Sequence, residues 1–241
     1  MVEAALWSLL GTCSLLIGVE VALGLRPGQR AIGLVMAFGA GAMISAVAYD
    51  LVLEAVEKQQ HFRVVLGMAL GSGAFFAGDL LIGQAGGSQR KRSTGAQREG
   101  SPLAIVLGAA LDGIPESVIV GLSIVLDGSV SISFVVATFL SNLPESMAAT
   151  SGLTDAGWPR SRIRLLWLGV VGVSVLASAL GYAIFSARSE STGAFVEGFA
   201  AGALLTMLAD TMMPEAFQFG GRLVGLFTVA GFVVAFAISS A

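Results

Sequence analysis

The chain has 241 residues, 55% of them hydrophobic and only 12% charged, with a mean hydropathy of +0.85 and a formal net charge of −3. That composition excludes an ordinary soluble globular domain and points to a polytopic membrane protein. The single cysteine, Cys13, excludes an intrachain disulfide framework and a thiolate metal cluster.

A spanning helix needs about 20 mainly apolar residues. The sequence divides into eight such stretches: 4–24, 31–56, 62–86, 103–126, 131–152, 162–187, 192–218 and 222–241. Span 1 follows Glu3 rather than a basic segment and lacks an A-x-A cleavage site, so it is expected to be retained. Span 2 contains Phe38–Ala55, FGAGAMISAVAYDLVLEA. Span 3 leads into Gly86–Ser101, rich in Gly, Ser, Arg and Gln, which reads as a flexible cytoplasmic loop centred on 87–101. Spans 4 and 5 carry LDGIPESV (Leu111–Val118) and LSNLPESM (Leu140–Met147). Span 7 carries FAAGALLTMLADTMMPEA (Phe199–Ala216), which matches the span 2 segment without gaps at its Phe, its Ala-Gly-Ala and its closing Glu-Ala.

Span 2 thus pairs with span 7, and span 4 with span 5. This suggests two halves of opposite order around a central site, the architecture of many secondary transporters. The expected class is an all-α membrane protein: one transmembrane domain over 1–241, eight helices in an inverted-repeat arrangement, with Pro-kinked helices 4 and 5 at the centre. With the N-terminus outside, the inner connections carry Arg26, Arg30, Arg90, Lys91, Arg92, Arg98, Arg160, Arg162, Arg164 and Arg222. The outer ones carry Lys58, Arg63 and Arg188. That bias places both termini outside the cytoplasm in an inner or plasma membrane. The bases are scattered over connections, so no nucleic-acid partner is expected. His61 reads as a solvated residue at a helix edge.

Ten carboxylates fall in the apolar stretches: Glu20, Asp50, Glu54, Asp79, Asp112, Glu116, Glu145, Glu197, Asp210 and Glu215. A carboxylate within a membrane pairs, takes a proton, lines water or holds a cation. With the bases assigned to the connections, salt bridges are expected to be unavailable, and a cation is the reading that remains.

Asp112 and Glu116 are four residues apart and share a helical face. Pro115 has no N–H, which frees the carbonyl of Leu111, while Gly113 adds room. Span 5 repeats the arrangement with Ser141, Asn142, Glu145 and Pro144, which frees the carbonyl of Leu140. Such oxygen ligands suit a divalent cation. Two protonated, hydrogen-bonded glutamates beside ordinary proline kinks are the plainer alternative.

These paired P-E helices, with eight spans and a cytoplasmic loop between spans 3 and 4, resemble the ZIP family of metal transporters and in particular its GufA-like bacterial branch. The resemblance covers nearly the whole chain. The family's span 4 motif, His-Asn-x-Pro-Glu-Gly, falls on Asp112, Gly113, Pro115, Glu116 and Ser117; its span 5 counterpart falls on Ser141, Asn142, Pro144, Glu145 and Ser146. The resemblance implies that Glu116 and Glu145 bridge the transported ion, that Asp112 replaces a ligand histidine and Gly113 removes a ligand asparagine. Asn142 would occupy a second-metal position, with Glu197 completing it. Both customary histidines are missing, and oxygen-only ligation suits Mn²⁺, Mg²⁺ or Ca²⁺ better than zinc, without excluding zinc or iron.

Among the remaining acids, Asp50 and Glu54 read equally as an acidic entrance and as a wet helix end. Glu215 marks a possible exit. Glu20 and Asp79 read as boundary residues, and Met43, Met207, Met212 and Met213 as packing. The leading expectation is a divalent metal transporter working by alternating access, with the metal ion as substrate, the bilayer as surroundings and no cofactor. The small-residue faces of spans 2 and 7 suit internal packing or a homodimer. No G-x-x-x-x-G-K-[ST] motif and no recognisable protease set is present, so the chain is not read as an enzyme. The alternatives are a transport-incompetent metal-binding sensor or assembly relative, and a proton-linked transporter of an organic cation.

Overall fold

The computed structural model describes residues 1–57, 61–84, 102–186 and 190–240. The expected linker Gly86–Ser101 lies outside the described residues. All regular structure among the described residues is helical. We number the helices α1 Val2–Leu25, α2 Gln29–Ala46, α3 His61–Ile82, α4 Pro102–Asp127, α5 Ile132–Asp155, α6 Arg160–Phe185, α7 Glu190–Met207 and α8 Val224–Ser239. Helix α2 continues through a π-helical turn, Val47–Leu53, into Glu54–Glu57. Helix α7 continues through a π turn, Leu208–Met212, into Met213–Gly220.

Local sequence sets the breaks. Arg26 closes α1 in the left-handed conformation (φ 48°) ahead of Pro27, and Gly28 caps α2. Ser131 caps α5, its hydroxyl accepting from the Phe134 N–H at 3.1 Å. Prolines 115 and 144 lie inside α4 and α5, which remain α-helical through them.

Among the described residues, seven helical runs are long and apolar enough to cross a membrane, and the last of these, Thr192–Ser239, has 48 residues. At 1.5 Å per residue that run is more than twice the roughly 30 Å of a bilayer core. It does not run straight. Gly220 abuts Gly33 of α2, the three-residue turn Gly221–Leu223 follows, and Gly221 takes φ 66° and ψ −144°, open only to glycine. From there α8 retraces α2, placing Gly231 at Phe38 and Ser239 at Asp50.

The burial pattern is inverted relative to a water-soluble protein. Large apolar side chains on α3, α6 and α8, including Phe62, Leu70, Leu165, Leu176, Leu226 and Val229, are exposed, while Ser14, Ser146, Thr150 and Ser178 are fully buried. An apolar surface around a polar, small-residue interior is what a hydrocarbon surrounding selects.

Two groups of helices make up the molecule. In one, α1 packs on α5 and α6, and α4 on α6; in the other, α2 packs on α8 and on Met213–Gly220, the continuation of α7, and α3 packs on α7. The groups meet mainly where α2 lies on α5 and α4 on α7. The two repeat segments recognised in the sequence have matching surroundings. A Cβ on Gly41 would strike the carbonyl of Thr228 in α8, and one on Gly202 that of Met68 in α3. Conversely, Gly231 of α8 sits on the carbonyl of Phe38 and Gly71 of α3 on that of Phe199. The π turns fall at equivalent places in the two segments. The methionines read as packing are so: Met43, Met207 and Met212 are buried in the main apolar core, and Met213 packs against it.

Candidate cation site

The structure separates the ten carboxylates into classes. Asp112, Glu116, Glu145, Glu197 and Glu215 are buried; Asp50, Glu54 and Asp79 are half-buried; Glu20 and Asp210 are exposed. All six side chains singled out as ligands, Asp112, Glu116, Ser141, Asn142, Glu145 and Glu197, are at most 5% exposed. The expectation that no salt bridge is available fails for Glu20. Both its carboxylate oxygens accept from the Arg164 guanidinium at 2.7 Å. Arg164 begins the second turn of α6 rather than lying in a connection, and the end of α1 beside it is open enough for the pair to form.

Two glycine contacts lie beside the expected ligands. The carbonyl of Leu140 faces Gly39 of α2, whose missing side chain lets the two backbones close. Gly113 gives room to α6: a Cβ there would meet Ser174 Oγ at 3.0 Å. The hydroxyl of Ser141 donates to the carbonyl of Thr138 at 3.1 Å, leaving its lone pairs as its remaining capacity. The Asn142 amide nitrogen is buried without a hydrogen-bond partner.

Helices α4 and α5 scarcely touch. Each packs on α1, whose small Gly11 and Gly18 let it approach α5 at Thr138 and at Ser146. Accordingly, among the described residues, no three His, Cys, Asp or Glu side chains converge closely enough to hold a metal ion.

A cavity of about 190 Å³ opens where the continuation of α2 ends and α4 turns into α5. Four carboxylates line it: Asp50, Glu54, Asp127 and the buried Glu197, with Ser123, Ser129 and Ser131 between them. Asp127 escaped the sequence reading because it sits beside Gly128 and looks like a helix terminus. Its spacing was the available signal, since Asp112, Glu116, Ser123 and Asp127 fall at steps of four, seven and four along one face of α4. Ile119, Leu122, Val130 and Phe134 form the apolar part of the lining. One helical turn further in, Glu116 (three residues before Ile119) and Thr138 (four after Phe134) line a crevice with Ser8 and Thr12 of α1 and Ser117 of α4. At the opposite end a cavity of about 380 Å³ is lined by Arg26, Gln29, Ser151, Thr154 and Asp155.

Asp50 is anchored as well as acidic. One oxygen accepts from Ser133 Oγ at 2.5 Å and the other from Ser239 Oγ at 2.7 Å, which ties the π turn of α2 to the start of α5 and the end of α8. Hydrogen bonds to a charged group are worth about 1.5–3 kcal/mol each. Asp50→Ala is therefore expected to lower the unfolding temperature measured in detergent clearly more than Asp210→Ala, at an exposed carboxylate, does; equal effects would rule out this anchoring role.

No family model matches the chain, and no curated protein matches it. The family resemblance therefore rests on the sequence motifs alone, chiefly the paired proline-glutamate segments.

Proposed function

We propose that this chain is a divalent metal cation transporter of the inner or plasma membrane, carrying zinc-, iron- or manganese-type ions toward the cytoplasm by alternating access. The observation that carries the reading is the burial of Asp112, Glu116 and Glu145 with Asn142 between an acidic cavity, read as the outer one and lined by the buried Glu197 among others, and a polar inner one. Carboxylates enclosed in membrane-spanning helices mark ion pathways. Four of them at the outer mouth raise the local concentration of cations.

In this reading α7 and α8 are two crossings, which makes eight in all with both termini outside. The halves are related as an inverted repeat: α2 with α8 corresponds to α7 with α3, as the reciprocal glycine contacts and paired π turns suggest. The two helix groups supply the moving parts. Sliding of the α1, α4, α5 and α6 group along α2 and α7 closes the outer cavity and opens the inner one.

The absence of a converged acidic triad among the described residues favours a second reading, in which the chain binds metal as a sensor or assembly partner without moving it. Uptake by purified protein in liposomes separates the two. Saturable entry of Mn²⁺, Zn²⁺ or Fe²⁺ above that of protein-free liposomes is expected. Binding without entry supports the sensor, and neither binding nor entry overturns both.

A further inference from the structure

Hydroxyls inside these helices mostly commit themselves to a backbone carbonyl. Thr12, Thr154, Thr206, Thr211 and Thr228 donate to the carbonyl four residues earlier, at 2.6–2.9 Å. Ser14, Ser123, Ser141 and Ser146 donate to the one three residues earlier. Ser117 and Thr138 do neither. Each is 2% exposed, and neither hydroxyl has a hydrogen-bond partner. An unsatisfied hydroxyl is costly to bury, and here two lie in one place: Ser117 from α4 and Thr138 from α5 line the crevice that holds Glu116. The other hydroxyls of that crevice are committed, Ser8 to the carbonyl of Ser174 at 3.4 Å and Thr12 to that of Ser8 at 2.7 Å. The crevice leaves no space for a water molecule.

We propose that the Ser117 and Thr138 hydroxyl oxygens are ligands for a divalent cation held by Glu116, in a site that takes the ion stripped of its water. This inference rests on the transporter reading and deepens it by assigning the ion class. A hydroxyl oxygen accepts through two lone pairs, and oxygen ligands suit hard cations. Since the crevice admits no water, the protein supplies the coordination there, and neither imidazole nor thiolate lines it. Manganese-type ions are therefore favoured over those that depend on nitrogen or sulfur. The ion also joins α4 to α5, which barely contact each other otherwise.

The test is Mn²⁺ binding to the purified full-length protein by calorimetry, together with the unfolding temperature of the cation-free protein. Thr138→Val keeps the shape and removes the oxygen; Ser117→Ala removes the other. Each is expected to weaken Mn²⁺ binding about 10- to 100-fold, while the cation-free variant melts at or above the wild-type temperature because an unsatisfied hydroxyl is gone. Thr138→Ser, which keeps an oxygen, is expected to bind within a few-fold of wild type. Wild-type binding in both deletion variants overturns the ligand assignment and leaves the transporter reading standing. Weaker binding with a lower cation-free melting temperature assigns the hydroxyls to packing and overturns it too. A wild-type protein that binds Zn²⁺ but not Mn²⁺ overturns the hard-ion class, and one that binds no divalent ion overturns this inference and the transporter reading together.

Discussion

Glu116→Gln is expected to reduce metal uptake in liposomes by about 100-fold or more, to the level of the protein-free control, without destabilising the protein. Glutamine keeps the volume of the side chain and removes the charge. A metal ligand at the centre of a site costs at least as much as the 10- to 100-fold typical of residues that only support ligands. Stability should hold: Glu116 is 2% exposed, and glutamine keeps both the volume and the hydrogen-bonding capacity of the side chain at that depth. The cation-free variant is therefore expected to melt no lower than wild type, while the gain in melting temperature on adding Mn²⁺ disappears. Uptake that survives the substitution would remove Glu116 from the transport site. Uptake lost together with a large fall in cation-free stability would make Glu116 a structural residue. Glu20→Gln supplies the contrast: its pair with Arg164 is about half exposed on both sides, a setting in which solvent screens an ion pair and it contributes little, and uptake should be unchanged.

The second large effect concerns packing. Gly41→Ala is expected to destabilise the protein by about 3 kcal/mol or more, at or beyond the top of the usual range for overpacking. The new Cβ falls on the carbonyl of Thr228, with the carbonyl carbon and Cα of the same residue also inside contact distance. The obstacle is backbone, so no side chain can swing aside, and α2 and α8 must separate along a seam that also holds Gly231 against Phe38. Gly169→Ala is the control. Nothing lies within 4 Å of a Cβ there, and alanine is the better helix former by about 1 kcal/mol, so the melting temperature should hold or rise. Melting curves in one detergent check both. A Gly41→Ala protein as stable as wild type would mean that the α2–α8 contact is looser than described.

Much of this was legible along the chain. Apolar runs separated by Pro, Gly and charged residues located each helix to within a few residues, because hydrocarbon tolerates little else. The repeat of FGAGAM in FAAGAL anticipated the equivalent glycine contacts of α2 and α7, since close helix approach demands small residues at fixed spacing. The Pro-Glu-Ser pairs led to Glu116 and Glu145, both of which are buried. Periodicity also places Asp127 on the face of Asp112 and Glu116, a signal that was overlooked.

Contacts between helices were not legible in the same way. Helical spacing says which residues share a face but not what that face meets. The carbonyl of Leu140 faces Gly39 of α2, and Gly113 lies beside Ser174 of α6. The sequence places Arg164 in a connection, yet it reaches Glu20 across to α1. The uncommitted hydroxyls of Ser117 and Thr138 had no sequence signature, because each serine or threonine in a helix has a carbonyl of its own within reach.

By itself, then, the sequence determined that the chain is helical and strongly apolar, and where its glycine seams run, while the structure decided which of its carboxylates lie deep. Those properties follow from hydropathy, steric size and charge, which are carried residue by residue. Tertiary structure alone decided that α1 stands between α4 and α5, that Asp50 ties three helices together, and that Glu116 shares a dry crevice with two free hydroxyls. Those facts depend on which surfaces meet across the molecule, and in a uniformly apolar surrounding many helix pairings bury similar area. Close packing of small residues and the need to satisfy buried polar groups select among them.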